Sequence, residues 1–453
     1  MNVLEVCRVP PPPEAAPSAA ASETSLPLTF FDLVWLRLRP VERLFFYELP
    51  NPPSFFFHSV LPKLKYSLSL TLHHFFPLSG NIKWPRHCRK PFIHYISGDG
   101  VSLTVAESNA DFNILSSSDF SDAEESRLLV PDLIVSDDEA SIVALQITLF
   151  PNAGFSIGIT THHAAMDGKS STLFMKSWAY ICSKLDESSS DSSLPGNLMP
   201  FFDRSVMKDS SGVAEIFSNH WSKQGEPNNR SLKWWDIKST NQGKPIRGTF
   251  ELVPSNIQKL KQIAESKLNK KVHLSTFSVT CAYMLNCLVK AEQTKQDKFL
   301  FIFAVDCRSR LDPPIPPTYF GSCVGGAKAV AETNTLLGND GFIAALEAIS
   351  DALKRFEDGG LSGAEKWMAE IQSLGKTHRF FSTAGSPRFE VYGIDFGWGR
   401  PKKVEIVSIG KTGAFSLSES RNGSGGIEIG LVLNRPEMEA FTALFHEGLA
   451  SGS

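Results

Sequence analysis

Residues 141–168 leave the backbone few choices. The segment SIVALQITLF alternates small or polar with apolar side chains, PNAG supplies a turn, and FSIGITTHH resumes the extended pattern, which together read as a β-hairpin. From Gly168 onward Leu173, Phe174, Trp178, Ile181, Cys182 and Leu185 fall on one helical face, so a helix follows the second strand directly. The string HHAAMDG sits on the junction.

The rest of the chain supports this reading. Residues 59–76 carry Leu61, Leu64, Leu68, Leu72 and Phe76 at helical spacing, stopped by FPLSG. The second half mixes expected helices (254–265, 275–291, 342–356, 437–447) with expected strands (299–305, 404–409, 426–433) and has no fixed-period repeat. This alternation without strict β-α-β order predicts mixed sheets in an α/β sandwich. Residues 10–21, rich in Pro and Ala, read as an extended, poorly ordered lead-in before a first apolar segment at Leu26. Residues 186–229 turn to Ser, Asp, Pro, Gly and Asn, interrupted by PFFDRS, and read as a crossover between a domain of residues 1–185 and one of residues 230–453.

With 453 residues, 42% of them hydrophobic, two domains are the natural expectation. A net charge of -3 from 45 basic and 48 acidic residues gives no field to hold nucleic acid or an anionic membrane. No apolar run is long enough to span a bilayer, and the N-terminus lacks a basic patch followed by an apolar core. The seven cysteines are scattered, without a C-x-x-C pair, and read as reduced thiols of a cytosolic protein with no metal site. Asn229-Arg-Ser231 and Asn422-Gly-Ser424 match the glycosylation pattern, which means little without a secretory route.

Three motif matches fail on context. Gly154-Phe155-Ser156-Ile157-Gly158 fits G-x-S-x-G, but that elbow needs a strand, a sharp turn and then a helix, whereas here the turn comes first and a strand continues. Gly168-Lys169-Ser170 and Gly410-Lys411-Thr412 lack the glycine that a phosphate loop needs five positions earlier, where His163 and Glu405 stand. His163 and Asp167 are different. A strand-end His is usually a structural hydrogen-bonder, and an Asp before a helix is usually its N-cap. Together they can hold a positioned imidazole which, with an ordinary pKa of ~6.5, is largely neutral near pH 7 and can accept a proton. Far downstream, DFGWG adds Asp395 to brace a turn, two glycines for unusual backbone angles, and the indole donor of Trp398; alone it reads as a Gly-rich turn with a packed aromatic.

H-x-x-x-D near residue 165 with D-F-G-W-G near residue 397, in a chain of this length, resembles the plant BAHD acyl-CoA-dependent acyltransferases. The likeness continues in LPLTFFDLVWL, FPLSGN, PFFDRS, DCRSRLDPPIPPTYFGSC and TAGSPRFEVYGIDFGWGRP, so it covers nearly the whole chain. It implies the two-domain chloramphenicol-acetyltransferase-like fold, with mixed sheets flanked by helices and an active-site channel between the domains. It implies His163 as general base and Asp167 as structural support, paired with an Arg of the segment around Arg308 and Arg310, of which Arg308 is favoured. It implies that Asp395 and its neighbours hold the domains together, with Trp398 a further candidate for oxyanion binding. For the coenzyme A moiety the candidates are Ser275, Thr276, Ser382, Gly385, Ser386 and Arg388, small residues that let phosphate approach the backbone and one local charge.

Within the family, YFGSC resembles the Y-F-G-N-C string of the subgroup that acylates phenolic, flavonoid and anthocyanin glucosides, with Ser322 in place of Asn. Some anthocyanin malonyltransferases carry an Arg four residues after the motif Asp; Ser171 stands there in this chain, which leaves malonyl and hydroxycinnamoyl donors both open. The expectation is a monomeric cytosolic enzyme with acyl-CoA, malonyl-CoA preferred, as co-substrate and no permanently bound cofactor. The alternatives are a hydroxycinnamoyl transferase, a catalytically silent binding protein of the same fold, and a serine hydrolase using Ser156.

Overall fold

The hairpin forms as Val143–Phe150 and Gly154–Thr161, antiparallel from the Gly154–Phe150 pair to the Thr161–Val143 pair. Every residue of both strands is buried, as a sheet covered on both faces requires. Gly158 is obligatory in this setting, because a Cβ there would come within 2.1 Å of the Leu129 carbonyl oxygen. The computed structural model describes residues 1–13, 23–185, 193–223, 230–235, 244–268, 272, 274–292, 296–358, 363–370, 373 and 378–450. Residues 14–21 of the expected lead-in, residues 186–192 and 224–229 of the expected crossover, and Asn229 of one glycosylation pattern lie outside the described residues.

The described residues build three sheets. The hairpin lies inside a six-stranded sheet ordered Asn2–Val9, Val101–Glu107, Val143–Phe150, Gly154–Thr161, Val41–Glu48 and Lys403–Ile406. A seven-stranded sheet runs Val324–Glu332, Lys298–Asp306, Arg379–Ala384, Phe415–Glu419, Ile427–Asn434, Pro245–Leu252 and Phe120–Asp122. A four-stranded sheet of Glu23–Pro27, Phe92–Ile96, Asn81–Lys83 and Glu139–Ser141 completes the set. Both larger sheets mix parallel and antiparallel pairs, so the expected mixed α/β fold is the one observed.

Each larger sheet takes a strand from the other half of the chain. Lys403–Ile406 pairs with Val41–Glu48, and Phe120–Asp122 pairs with Pro245–Leu252. Buried charges gather where these exchanges meet. Glu405 accepts from Ser126 at 2.8 Å and lies 2.8 Å from Lys403 and 3.4 Å from Arg247, all nearly inaccessible. Burial alone would push the Glu405 carboxyl up, but Lys403 and Arg247 hold it below its ordinary value.

Most expected helices form close to where the periodicity puts them: Leu61–His74, Gly168–Lys184, Pro254–Lys267, Thr276–Glu292, Gly341–Glu357 and Arg435–Ala450. Two expectations need correcting. Ordered structure starts before Leu26, because Asn2–Val9 is an edge strand on Val101–Glu107; its side chains are almost all exposed, so no buried face gave it a periodic signature. The strand expected over 404–409 ends at Ile406, and Ile409–Thr412 turns as a short helix.

DFGWG forms a tight brace at the entry to the exchanged strand. The Asp395 carboxylate accepts from the backbone N–H groups of Gly397 (2.7 Å) and Gly399 (2.9 Å), both glycines in the left-handed region at φ +104° and +102°. This turn drives Phe396, fully buried, edge-on against Trp178 and Tyr47, while the Tyr47 hydroxyl donates to the Ile394 carbonyl at 3.0 Å. Phe396→Ala should therefore cost about 3–5 kcal/mol of stability, read as a shift in the urea midpoint with unchanged slope; a shift under about 1 kcal/mol would show that the brace does not hold the halves together.

Candidate active site

The second hairpin strand ends at Thr161, and the two histidines that follow take opposite roles. His162 is fully buried: Nδ1 accepts from the Ala164 N–H at 3.2 Å, and the ring lies 4.8 Å from that of Trp234. Burial, helped by the neighbouring His163, pushes its pKa down to about 3. His163 is partly exposed. Its ring stacks on Trp35 at 4.0 Å between centroids and 5° between planes, and Ser322 Oγ donates to its backbone carbonyl at 3.1 Å. Nδ1 is sealed without a partner among the described residues. Burial pushes the His163 pKa below its ordinary value, with the Asp167 charge pulling more weakly the other way, so the imidazole is neutral at pH 7.

Asp167, 2% exposed, is aimed away from the imidazole. One carboxylate oxygen caps the helix Gly168–Lys184 by accepting from the Ser170 N–H at 2.9 Å and also accepts from Arg308 Nη2 at 3.1 Å. The other lies 2.8 Å from Arg308 Nη1 and accepts from the Cys323 N–H at 3.1 Å. The forked pair is buried on both sides, and Arg308 further donates to Ser170 Oγ, Asp306 and the carbonyls of Tyr319 and Gly321. Burial alone would lower the Arg308 pKa; the Asp167 carboxylate raises it above its ordinary value. Arg310, the alternative partner, is instead exposed and donates to the Asp306 carbonyl.

Three consecutive N–H groups of the YFGSC string are gripped from the first half of the chain. Gly321 donates to Ser170 Oγ (3.1 Å), Ser322 to Asp32 (2.8 Å) and Cys323 to Asp167 (3.1 Å). Asp32 also accepts from the backbone and hydroxyl of Thr29. Gly321 sits at φ +153° against Arg204, where a Cβ would come within 2.0 Å of the guanidinium.

The remaining sequence candidates lie elsewhere. Trp398 packs edge-on against Phe155 at 6.1 Å and under Lys63 Nζ at 5.2 Å. Phe155 is six residues from Thr161 along the strand, ~20 Å, so Trp398 is not brought to His163. Ser275 Oγ accepts from the Ser278 N–H and bonds the Ser278 hydroxyl, just ahead of Thr276 at the helix start. Ser382 lies in Arg379–Ala384, Gly385 follows at φ +76°, Ser386 accepts from the Arg388 N–H, and Arg388 is exposed. Ser156 is fully buried in mid-strand, opposite Phe46 and Thr148, which excludes a nucleophile elbow. Sequence reading missed the contacts of Trp35 and Ser322 with the histidine and of Asp32 with Ser322. Trp35 and Asp32 lie in LPLTFFDLVWL and Ser322 in YFGSC, but no local period links those strings to residue 163.

Residues 15–447 match the Transferase family. The chain is 41% identical over 469 residues to phenolic glucoside malonyltransferase 1 of Arabidopsis thaliana, covering 99% of this chain and 98% of that protein. It is 40% identical over 466 residues to malonyl-CoA:anthocyanidin 5-O-glucoside-6''-O-malonyltransferase of the same plant, covering 99% and 98%. Among solved structures, vinorine synthase superposes with a TM-score of 0.69 at 20% identity, covering 97% of this chain and 96% of that one, which supports the fold. The chain therefore belongs to the BAHD acyltransferases and is an enzyme that takes acyl-CoA as co-substrate.

Because Asp167 is half of a buried ion pair, removing it strands Arg308. Asp167→Ala should lose about 3–5 kcal/mol of stability, while Asp167→Asn, which keeps the cap and part of the hydrogen bonding, recovers some of it. Chemical denaturation of both variants checks this, and a fully stable Asp167→Ala would remove the pair from its structural role.

Proposed function

We propose that the protein transfers a malonyl group from malonyl-CoA to a sugar hydroxyl of a phenolic, flavonoid or anthocyanin glucoside, acting as a monomer in the cytosol, with His163 as general base. The observation that carries the catalytic role is the state of His163: partly open, neutral, fixed in plane by Trp35, and with its motif carboxylate spent on Arg308. The identity to two glucoside malonyltransferases supports the donor and acceptor classes.

In this mechanism the acceptor hydroxyl gives its proton to the imidazole as its oxygen attacks the thioester carbonyl. The tetrahedral oxyanion collapses with cleavage of the C–S bond, and the imidazolium returns the proton to the departing thiolate. No acyl-enzyme forms. Coenzyme A lies along residues 382–388, where Gly385 lets the backbone approach and Arg388, exposed and without an ion pair among the described residues, supplies the charge. Ser171 favours a second reading, a hydroxycinnamoyl donor, because it brings no cation to the position where some malonyltransferases have Arg.

His163→Ala should fold as stably as the wild type, within a few degrees of Tm, and lose ~10²–10⁴ in turnover; more than a tenth of wild-type rate would remove the histidine from the chemistry. Since the base must be unprotonated and its pKa is lowered, kcat/KM should rise with pH along an acid limb centred below the ordinary ~6.5 and stay level from there to pH 8. A midpoint above 6.5 contradicts the environment assigned to it. Donor choice is read from product masses with malonyl-CoA and coumaroyl-CoA against the same phenolic glucoside: malonyl should dominate, and equal or better coumaroyl transfer selects the second reading. Arg388→Ala should raise the donor KM more than it lowers kcat, an effect that shrinks at high salt.

A further inference from the structure

One buried cation stands apart from the Asp167–Arg308 pair and from the charges around Glu405. Arg43 lies in Val41–Glu48 opposite Ile159, on the strand face shared by Phe45 and Tyr47, and is 3% exposed. Among the described residues its guanidinium makes one hydrogen bond, from Nη1 to Thr172 Oγ1 at 2.9 Å, and no ion pair. The other buried guanidiniums are better matched: Arg308 has Asp167, Arg247 has Glu405, and Arg204 has the Tyr319 hydroxyl and the nearby Asp32 charge. Glu419 is the acid whose field reaches Arg43, but one of its oxygens accepts from the Tyr392 N–H, and burial raises its own pKa toward the neutral form.

Arg43 lines a cleft together with Gly385, the hydroxyl-bearing Ser386, Ser416 and Ser418, and the Phe389 ring. This cleft abuts the catalytic turn. The Phe389 ring packs so closely on Gly168, the residue after Asp167, that a Cβ there would come within 2.7 Å. Thr172 is one helical turn further on. Along the sheet, the Arg43–Ile159 pair is two pairs, ~7 Å, from the last pair, Val41–Thr161, and His163 follows Thr161 by two residues.

We propose that Arg43 is the receptor for a carboxylate at the far end of the donor's acyl group, and that it sets the preference for a dicarboxylic acyl donor; this rests on the malonyl reading above. A carboxylate entering a desolvated channel needs a cation or several donors, and residue 171, a serine, brings no charge. With Nη1 held by Thr172, the remaining N–H groups of the planar fork are unspent and suit a two-bond contact. Burial pushes the Arg43 pKa down to about 10, which still leaves it cationic at pH 7.

The test measures kcat/KM for malonyl-CoA and acetyl-CoA on the same preparations of wild type, Arg43→Met and Arg43→Gln, with one phenolic glucoside as acceptor. Because each preparation serves both donors, the malonyl-to-acetyl ratio is insensitive to partial unfolding, and either variant suffices if the other fails to fold. The ratio should fall ~100-fold or more, as loss of a desolvated charge contact does. A wild type that transfers malonyl, with variants whose ratio stays within about threefold, overturns the inference alone: a joint loss with both donors would place Arg43 against a coenzyme A phosphate or the acceptor. A wild type that transfers no malonyl overturns the reading on which the inference rests, and the inference with it.

Discussion

The buried pair of Asp167 and Arg308 is the interaction on which the rest of the site depends. An unpaired charge in that position would be prohibitive, so the pair forms only when helix Gly168–Lys184 and the segment after Lys298–Asp306 arrive together. Its geometry dictates what surrounds it. The Asp167 carboxylate has room for a helix cap, one fork and one further N–H, and Cys323 takes the last place. That fixes the 321–323 backbone, and with it the Ser322 hydroxyl that holds the His163 carbonyl. The Asp167–Arg308 salt bridge thus helps to set the position of the His163 backbone through the 321–323 segment and the Ser322 hydroxyl.

The same arrangement explains how a histidine beside an aspartate stays neutral. Were Asp167 turned toward the imidazole, its charge would raise the His163 pKa and hold the ring protonated. Committed to Arg308, it exerts only a weak upward pull, and burial wins. His162 shows the limit of that trend. It is more deeply enclosed, has given Nδ1 to the Ala164 N–H, and is too hard to protonate to exchange protons with a substrate near neutral pH. The two adjacent histidines differ because one is enclosed in the core and the other is partly exposed and stacked on Trp35.

What sequence reading recovers here follows how local each signal is. The hairpin and its helix are legible because burial on both strand faces and a one-sided helix leave periodic traces. The favoured partner for Asp167 was also legible, though only through the resemblance to a family; spacing alone cannot join residues 167 and 308. The exchanged strands Lys403–Ile406 and Phe120–Asp122 are short and pair far from their sequence neighbours, so nothing in their own residues marks which sheet they enter. The edge strand Asn2–Val9 hides for the opposite reason, being exposed on both faces. Trp35 stands against His163 because the chain between them folds as it does, a contact that no one-dimensional pattern encodes.

Arg43 belongs to this last class, and its energetics bear on how such an enzyme selects a donor. A guanidinium held in a cleft with a single neutral hydrogen-bond acceptor and no ion pair among the described residues has given up most of its hydration at a cost, and burial lowers its pKa against the weaker pull of Glu419. An acyl group ending in a carboxylate relieves the cost as it binds, whereas one ending in a methyl group leaves the cation as it was and displaces whatever water reached it. Discrimination then comes from the penalty on the wrong donor as much as from attraction to the right one, since a site built for a charged partner rejects the analogue that lacks it more strongly than an apolar pocket rejects a change of size. On this argument a cation on Val41–Glu48 can take the place of one on the helix after Asp167, because selectivity depends on where the guanidinium ends and not on which strand or helix carries it.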